Sequence, residues 1–340
     1  MSWYAVDALG DAFEATRDLL TPLSAGQWLK LALVVFFLGG TGGTGGPSAS
    51  AGSSTGSAPA DFPGGVQPSV PTETLFPILV GVFVVALLFG LAYALVGSIM
   101  EFVFVESLRR ERVRVRGYAD QHFGHGLRLF AFRVVLGLLV AVPALGAALT
   151  ALSFFGDGLP RAAVGLLVVL VPLFVVLAVF VAVADGFTTN FVVPVMILRN
   201  VGVLDGWRAF WPTLTAEWRQ YAVFVLVRFV LALAVGLVAA IVGGVVGAIL
   251  LAPLAILGFI AIPLFGGAAG ILSNPVALGG AALLLFGYGL VLTAALSVAL
   301  VPVQVYLRYH ALLVLGDTDA DHDAIPELRR AIREGRGRRG

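Results

Sequence analysis

Long apolar runs, broken by short polar segments rich in arginine, set the pattern of this chain. Runs cover residues 74–100, 129–155, 162–184, 221–252 and 276–307, with a shorter one over 23–38. Runs of 18 or more apolar residues predict membrane-spanning helices, since a span needs about 20 residues at 1.5 Å rise each. The pattern therefore predicts an all-α, polytopic transmembrane bundle of about six spans with amphipathic interfacial elbow helices. Helical pattern in the second span runs on from Met100 to Arg109, giving about 52 Å of helix against a hydrocarbon core of about 30 Å. The segment 253–275 is apolar but broken by Pro253, Pro263, Gly266, Gly267 and Pro275, and reads as an outer loop with one short helix. Residues 4–20 predict an amphipathic helix docked on the bundle, with Val6, Leu9, Phe13 and Leu20 near one face and Asp7, Asp11, Glu14 and Asp18 elsewhere.

Two elbows separate the spans, one over 109–128 and one over 199–219. In the second, Trp207, Phe210 and Trp211 fall near one face of a short helix. Trp28, Trp207, Trp211 and Trp218 are the expected interface anchors, because an indole is at home among headgroups. The chain then divides into 1–38 (interfacial helix and short first span), 39–73 (low-complexity outer linker), 74–315 (membrane bundle) and 316–340 (tail). Residues 1–27 do not read as a signal peptide, since they lack a basic start and carry four acidic residues.

Composition sharpens this picture. Of 340 residues 59% are hydrophobic and 12% charged, with mean hydropathy +0.99; a soluble domain carries about 25% charged residues. A soluble α/β enzyme is excluded. Net charge is +1, so nucleic acid is not an expected partner, and the absence of cysteine excludes disulfides, thiol nucleophiles and cysteine metal ligands. Basic residues orient the spans. The outer segments 39–73 and 253–275 hold no Lys or Arg, whereas the elbows and tail hold many, which places both termini in the cytoplasm of a multi-pass cell-membrane protein.

Three span exits look alike: EFVFVESLR ending at Arg109, NFVVPVMILR at Arg199 and ALVPVQVYLR at Arg308. They hint at a duplicated span–elbow–span unit, its copies parallel because each starts and ends on the same side. Arg109, Arg110, Arg112, Arg114 and Arg116 form a basic cluster just inside a span, and anionic headgroups attract each such charge by about 1 kcal/mol. Arg133 and Arg228 lie inside their spans. They can snorkel to headgroups or pair with Glu101, Glu106 or Asp185, the carboxylates nearest apolar sequence. Glu101 and Glu106 stand about 140° apart on a helix and do not make one carboxylate pair. His122 and His125, with Asp120, invite a metal reading, but no HExxH or cysteine supports it, and no metal or cofactor is expected. DTDADHD has the alternation of a calcium loop without its glycine and closing glutamate, and reads as solvated linker.

The expected function is structural, lipid-interacting or accessory, without catalysis; membrane lipids are the expected partners, with a homo-oligomer or a membrane partner subunit possible on the same reading. A small permease is the alternative and would require a cavity lined by Tyr93, Thr150, Ser153 and the deeper arginines. A membrane enzyme acting on lipid headgroups would require Glu101, Asp185 and the Asp120–His125 elbow to converge.

The stretches DAFEATRDLLTPLSAGQWLKLALVVFFLGG, VESLRRERVRVRGYADQHFGHGLRLF, VMILRNVGVLDGWRAFWPTLTAEWRQYAVFVLVRF and VPVQVYLRYHALLVLGD resemble a family of uncharacterised integral membrane proteins of halophilic archaea. The span–elbow–span pattern is more distantly similar to membrane domains that accompany some glycerophosphodiester phosphodiesterases. The resemblance implies a haloarchaeal cell membrane. It brings no catalytic residues.

Overall fold

A computed structural model describes residues 3–21, 24–39, 72–153, 161–267, 270–271 and 274–337. The described residues are 92% helical, and no strand occurs among them. In order, the helices are α1 (Tyr4–Leu20), α2 (Ala25–Leu38), α3 (Thr72–Arg109), α4 (Val115–Ser153) and α5 (Arg161–Phe187). A π turn (Thr188–Val192) then leads into α6 (Val193–Arg199), followed by α7 (Val203–Ala216), α8 (Trp218–Leu264) and α9 (Pro275–Thr318). The chain closes with a 3-10 turn (Ala320–His322) and α10 (Pro326–Gly337). Among the described residues five helical segments are long and apolar enough to cross a membrane: Phe83–Arg109, Val115–Ala147, Val169–Arg199, Trp218–Leu264 and Val276–Thr318.

Three expectations need correction. The run at 23–38 is no full span: α2 has 14 residues, about 21 Å of helix, because Gly39 and Gly40 halt its apolar sequence. It leans instead on α3 and α9, with the Tyr93 hydroxyl donating to Phe36 O and the Phe37 and Tyr93 rings 5.3 Å apart. The linker expected at 39–73 falls, over 40–71, outside the described residues. Second, α8 does not stop at Ala252 but continues through Pro253 and Pro263 to Leu264, 47 residues in all. Each proline removes one hydrogen bond. The flanking sequence is apolar throughout, and in hydrocarbon only a helix satisfies the remaining backbone groups. Gly266 (φ 76°) and Gly267 (φ 94°) end it in a conformation that disfavours side chains. Asn274 then caps α9, its side chain accepting from Val276 N at 3.0 Å and Ala277 N at 3.3 Å.

The third correction concerns the first elbow, which shrinks to Arg110–Arg114 because α4 already begins at Val115. Glycines at 117, 124 and 126 do not break that helix. Gly126 is where α3 and α4 touch: a Cβ there would meet Ile99 Cα at 2.9 Å. Both elbows leave their helix through the same turn. Glu111 (φ 49°) and Asn200 (φ 53°) take the left-handed conformation, while Arg112 N bonds Ser107 O at 3.2 Å and Val201 N bonds Met196 O at 3.3 Å. Asn190-Phe191-Val192 matches Glu101-Phe102-Val103, yet Arg199 lies one residue further on than Arg109, and the π turn at 188–192 holds one residue more per turn than an α-helix. The third exit does not share the turn: α9 runs straight past Arg308 to Thr318.

Burial is concentrated at the elbow end. Phe83, Val85, Leu88, Val135, Leu145, Val176, Phe180, Leu226, Ile241 and Leu283 are exposed along the spans, while Phe102, Phe104, Leu108, Phe191, Met196, Phe210, Tyr221, Tyr309 and Leu312 are fully buried. The exposed apolar band of α5 ends near Val183 and that of α3 near Leu91, so the spans meet lipid above a packed base. α1 is part of that base. Its buried stripe is Ala5, Ala8, Ala12 and Ala15 rather than the bulky face expected, and Val6 and Phe13 point outward. Alanines let the α1 backbone approach α9 closely enough for His310 Nε2 to lie 2.7 Å from Ala5 O.

Candidate functional site: a buried charge cluster at the base of the spans

Each of the five spans sends one polar side chain to a common point just below the apolar band. Glu101 comes from α3, Arg133 from α4, Asp185 from the end of α5, Arg228 from α8 and Arg308 from α9; the π turn adds Thr189 and Asn190. Glu101 is 1% exposed and occupies the centre. One of its oxygens accepts from Arg133 Nη2 at 3.2 Å and the other from Arg308 Nη2. Arg133 also donates from Nε to Asp185 Oδ1 at 2.8 Å and from Nη2 to Thr189 Oγ1 at 2.8 Å. Arg308 donates from Nη1 to Thr189 O at 2.6 Å and lies over the Phe104 ring, 5.6 Å from its centroid. The widened π turn is what presents Thr189 to both arginines. Arg228 donates from Nη1 to Leu307 O at 2.9 Å and from Nη2 to Asn190 Oδ1 at 3.4 Å; Asn190 is in turn held by Gly186 O. Taking charges out of water is costly, and only mutual pairing with full hydrogen bonding offsets it. Here that pairing joins helices far apart in sequence.

Other expected residues stand around this point in different roles. Glu106 does not join the cluster. It is buried one face away and carries Arg109 at 3.6 Å and Arg110. Arg112, Arg114 and Arg116 are exposed beside buried Val113, on a surface open to solvent or headgroups. Among the anchors, Trp28 is half-buried, Trp207 donates from Nε1 to Thr188 Oγ1 at 3.0 Å, and Trp211 and Trp218 are exposed, with Arg219 stacked on Trp218. His122 bonds Tyr118 O through Nδ1 at 3.1 Å and stacks on Phe102 across the α3–α4 contact; the His125 ring lies tilted against the same Phe102, and its Nε2 is buried without a hydrogen-bond partner. Asp120 is exposed. Among the described residues no group of three His, Asp or Glu side chains is placed to hold a metal ion. Tyr93 lines a groove of about 300 Å³ with Phe36, Phe89, Phe286, Leu290 and Thr293, an apolar lining that includes none of the deeper arginines. The side chains of Thr150 and Ser153 lie outside the described residues.

The stretch read as solvated linker is a folded cap. Asp319 accepts from Thr213 Oγ1 at 2.6 Å and holds His322 Nδ1 at 2.7 Å. Arg329 pairs with Asp317 at 2.9 Å and Asp323 at 2.6 Å, and Arg333 with Asp317 at 2.7 Å and Asp11 at 3.2 Å. The tail is thereby tied to α1 and α7. Burial pushes the Asp319 carboxyl up, but the Thr213 hydroxyl and the His322 ring outweigh it and hold its pKa below the usual carboxylate range. Bonding to Asp317 raises the Arg333 pKa.

Three cluster members escaped sequence reading. Arg308 passed for a span exit, although apolar Ala311–Leu315 beyond it marks a position inside a helix. Thr189 and Asn190 are polar residues in an apolar run, a signal that was legible but carried no partner. No curated protein and no solved structure matches the chain. A family model spanning residues 3–325 does match, so nearly the whole chain, from α1 to the tail cap, belongs to the family of unknown function DUF7544.

Proposed function

We propose that this is a structural, lipid-contacting protein of the cell membrane, with its elbows and both chain termini on the cytoplasmic side and no catalytic role. The observation that carries this reading is how the charge cluster uses its groups. Both Glu101 oxygens, Asp185 Oδ1 and the Thr189 hydroxyl and carbonyl accept from arginines of neighbouring helices. Carboxylates engaged in this way clamp helices and are poorly placed to exchange protons with a substrate. Above the clamp the spans turn apolar faces outward, and below it the exposed Arg112, Arg114 and Arg116 suit an anionic surface. Membrane lipids are the partners this reading requires. A second copy or another membrane subunit is the further partner that α8, exposed along its length, would take. The resemblance to haloarchaeal membrane proteins, and more distantly to membrane domains beside glycerophosphodiester phosphodiesterases, fits the same reading.

The test is reconstitution of the full chain into liposomes and measurement of flux for a panel of ions, small solutes and labelled lipids. The expected result is no flux above that of protein-free liposomes. Saturable, protein-dependent flux of any panel member would overturn the reading in favour of a permease.

A further inference from the structure

The charges in the cluster do not balance. Three guanidinium groups meet two carboxylates, and Arg133 and Arg308 engage both carboxylates. Arg228 reaches neither: its bonds go to the neutral oxygens of Leu307 and Asn190. A guanidinium does not give up its proton in a protein, and an uncompensated charge away from water is costly. The cluster also leaves Nη1 of Arg133 buried without a hydrogen-bond partner. It therefore has more positive charge, and more donors, than the described residues satisfy.

The position of Arg228 indicates where compensation comes from. The residue is half-buried, and its neighbours on α8, Leu226, Phe229 and Val230, are 62%, 60% and 57% exposed. Among the described residues α8 packs on α9, α1 and α7, whereas α5 packs on α4 and on its own π turn; the exposed residues flanking Arg228 therefore turn toward the bilayer at the lower edge of the apolar band. Lipid headgroups lie at such an edge. Two of the five guanidinium N–H donors are used, and the remaining fork matches two oxygens of a phosphate.

We infer that Arg228 holds the phosphate of one anionic lipid from the leaflet on the elbow side, its chains lying along the exposed face of α8. The inference rests on the lipid-contacting reading and adds to it a single site with defined chemistry. The surface arginines of the first elbow attract headgroups without selecting one; Arg228 fixes one in place.

The experiment places the full-length protein in phosphatidylcholine nanodiscs that contain a minor fraction of phosphatidylglycerol, and counts retained lipids by native mass spectrometry after release. One phosphatidylglycerol per chain is expected for the wild type and for Arg17→Gln, which removes an exposed arginine of α1. Retention falls about tenfold in Arg228→Gln, and Asp185→Asn, which enlarges the positive surplus, retains at least as much as the wild type. Thermal unfolding without phosphatidylglycerol serves as the folding control, and Arg228→Gln is expected to match the wild type there. If it unfolds, Arg228→Lys, which keeps the charge and loses the fork, replaces it, with retention falling severalfold. Equal retention by wild type and the Arg228 variants, or a fall in Asp185→Asn, would overturn the site while leaving general lipid contact standing. Displacement of the lipid by inorganic phosphate at low concentration would show that the site takes free anion and overturn the lipid source. Protein-dependent solute flux in liposomes is a separate outcome, which would remove the lipid-contacting reading itself.

Discussion

Replacing Glu101 with glutamine tests whether the charge cluster holds the spans together. The substitution is isosteric and leaves no cavity; it removes only the charge that Arg133 and Arg308 share. Glu101 is 1% exposed, and the two arginine side chains are 9% and 6% exposed, so solvent screens little of the interaction. Breaking a buried pair by neutralising one partner costs about 3–5 kcal/mol, because the remaining charge is left uncompensated. Here two arginines are left with Asp185 alone between them. The expected loss is therefore at the upper end, about 5 kcal/mol, a large part of a typical folding free energy of about 5–15 kcal/mol. Thermal unfolding in detergent, followed by the fluorescence of Trp207 beside the π turn, should show a midpoint roughly 10 °C or more lower. Glu106→Gln supplies the contrast. Its partners Arg109 and Arg110 are 37% and 53% exposed, so solvent compensates them when the carboxylate is neutralised, and a smaller loss than for Glu101→Gln is expected. If Glu101→Gln melts within about 1 kcal/mol of the wild type, or no lower than Glu106→Gln, the cluster does not clamp the bundle.

Three further outcomes follow from other parts of the fold. Gly126→Val drives a side chain into Ile99 and should cost about 3 kcal/mol or more, whereas Gly124→Ala, with nothing within 4 Å, should be neutral or stabilising by about 0.5–1 kcal/mol; equal melting of the two would contradict the α3–α4 contact. The Asp319 carboxyl is held below its ordinary pKa by Thr213 and His322. Its contribution is thus present above the ordinary carboxylate range and lost as pH falls through the folded value. Hydrogen exchange over 320–337 should accelerate in acid in the wild type and already be fast at neutral pH in Asp319→Asn; pH-independent protection would refute the cap. Because the chain has no cysteine, single cysteines at Arg114 and Arg208 can be labelled without background. Both should react with a membrane-impermeant reagent from the same side, and labelling from opposite sides would break the topology.

Helical class and the residues at which both elbows open, Arg109 and Arg199, were legible in the sequence because they depend on local properties. An apolar run long enough for the bilayer has only one way to satisfy its backbone, and arginines mark where it ends. The same logic failed where a local signal was outweighed. Pro253 and Pro263 suggested a loop, yet apolar sequence on both sides keeps α8 helical. Gly126, a residue of low helix propensity, nevertheless lies inside α4, where it serves a close contact with Ile99. On α1 the bulky apolar residues drew attention, while the alanines that permit close approach to α9 form the docking face.

Partnership is a different kind of information. Arg133, Glu101 and Asp185 were all visible as charges within or beside apolar sequence, but residues 32 and 52 positions apart meet only once the spans are assembled. Arg308 joins Glu101 across 207 positions, and no periodicity or spacing encodes such a distance. Hydropathy, composition and turn chemistry act over a few residues, so they settle which long segments are helical. Which charges neutralise one another, and which arginine is left over, depends on how five helices converge, and that is decided by packing in three dimensions.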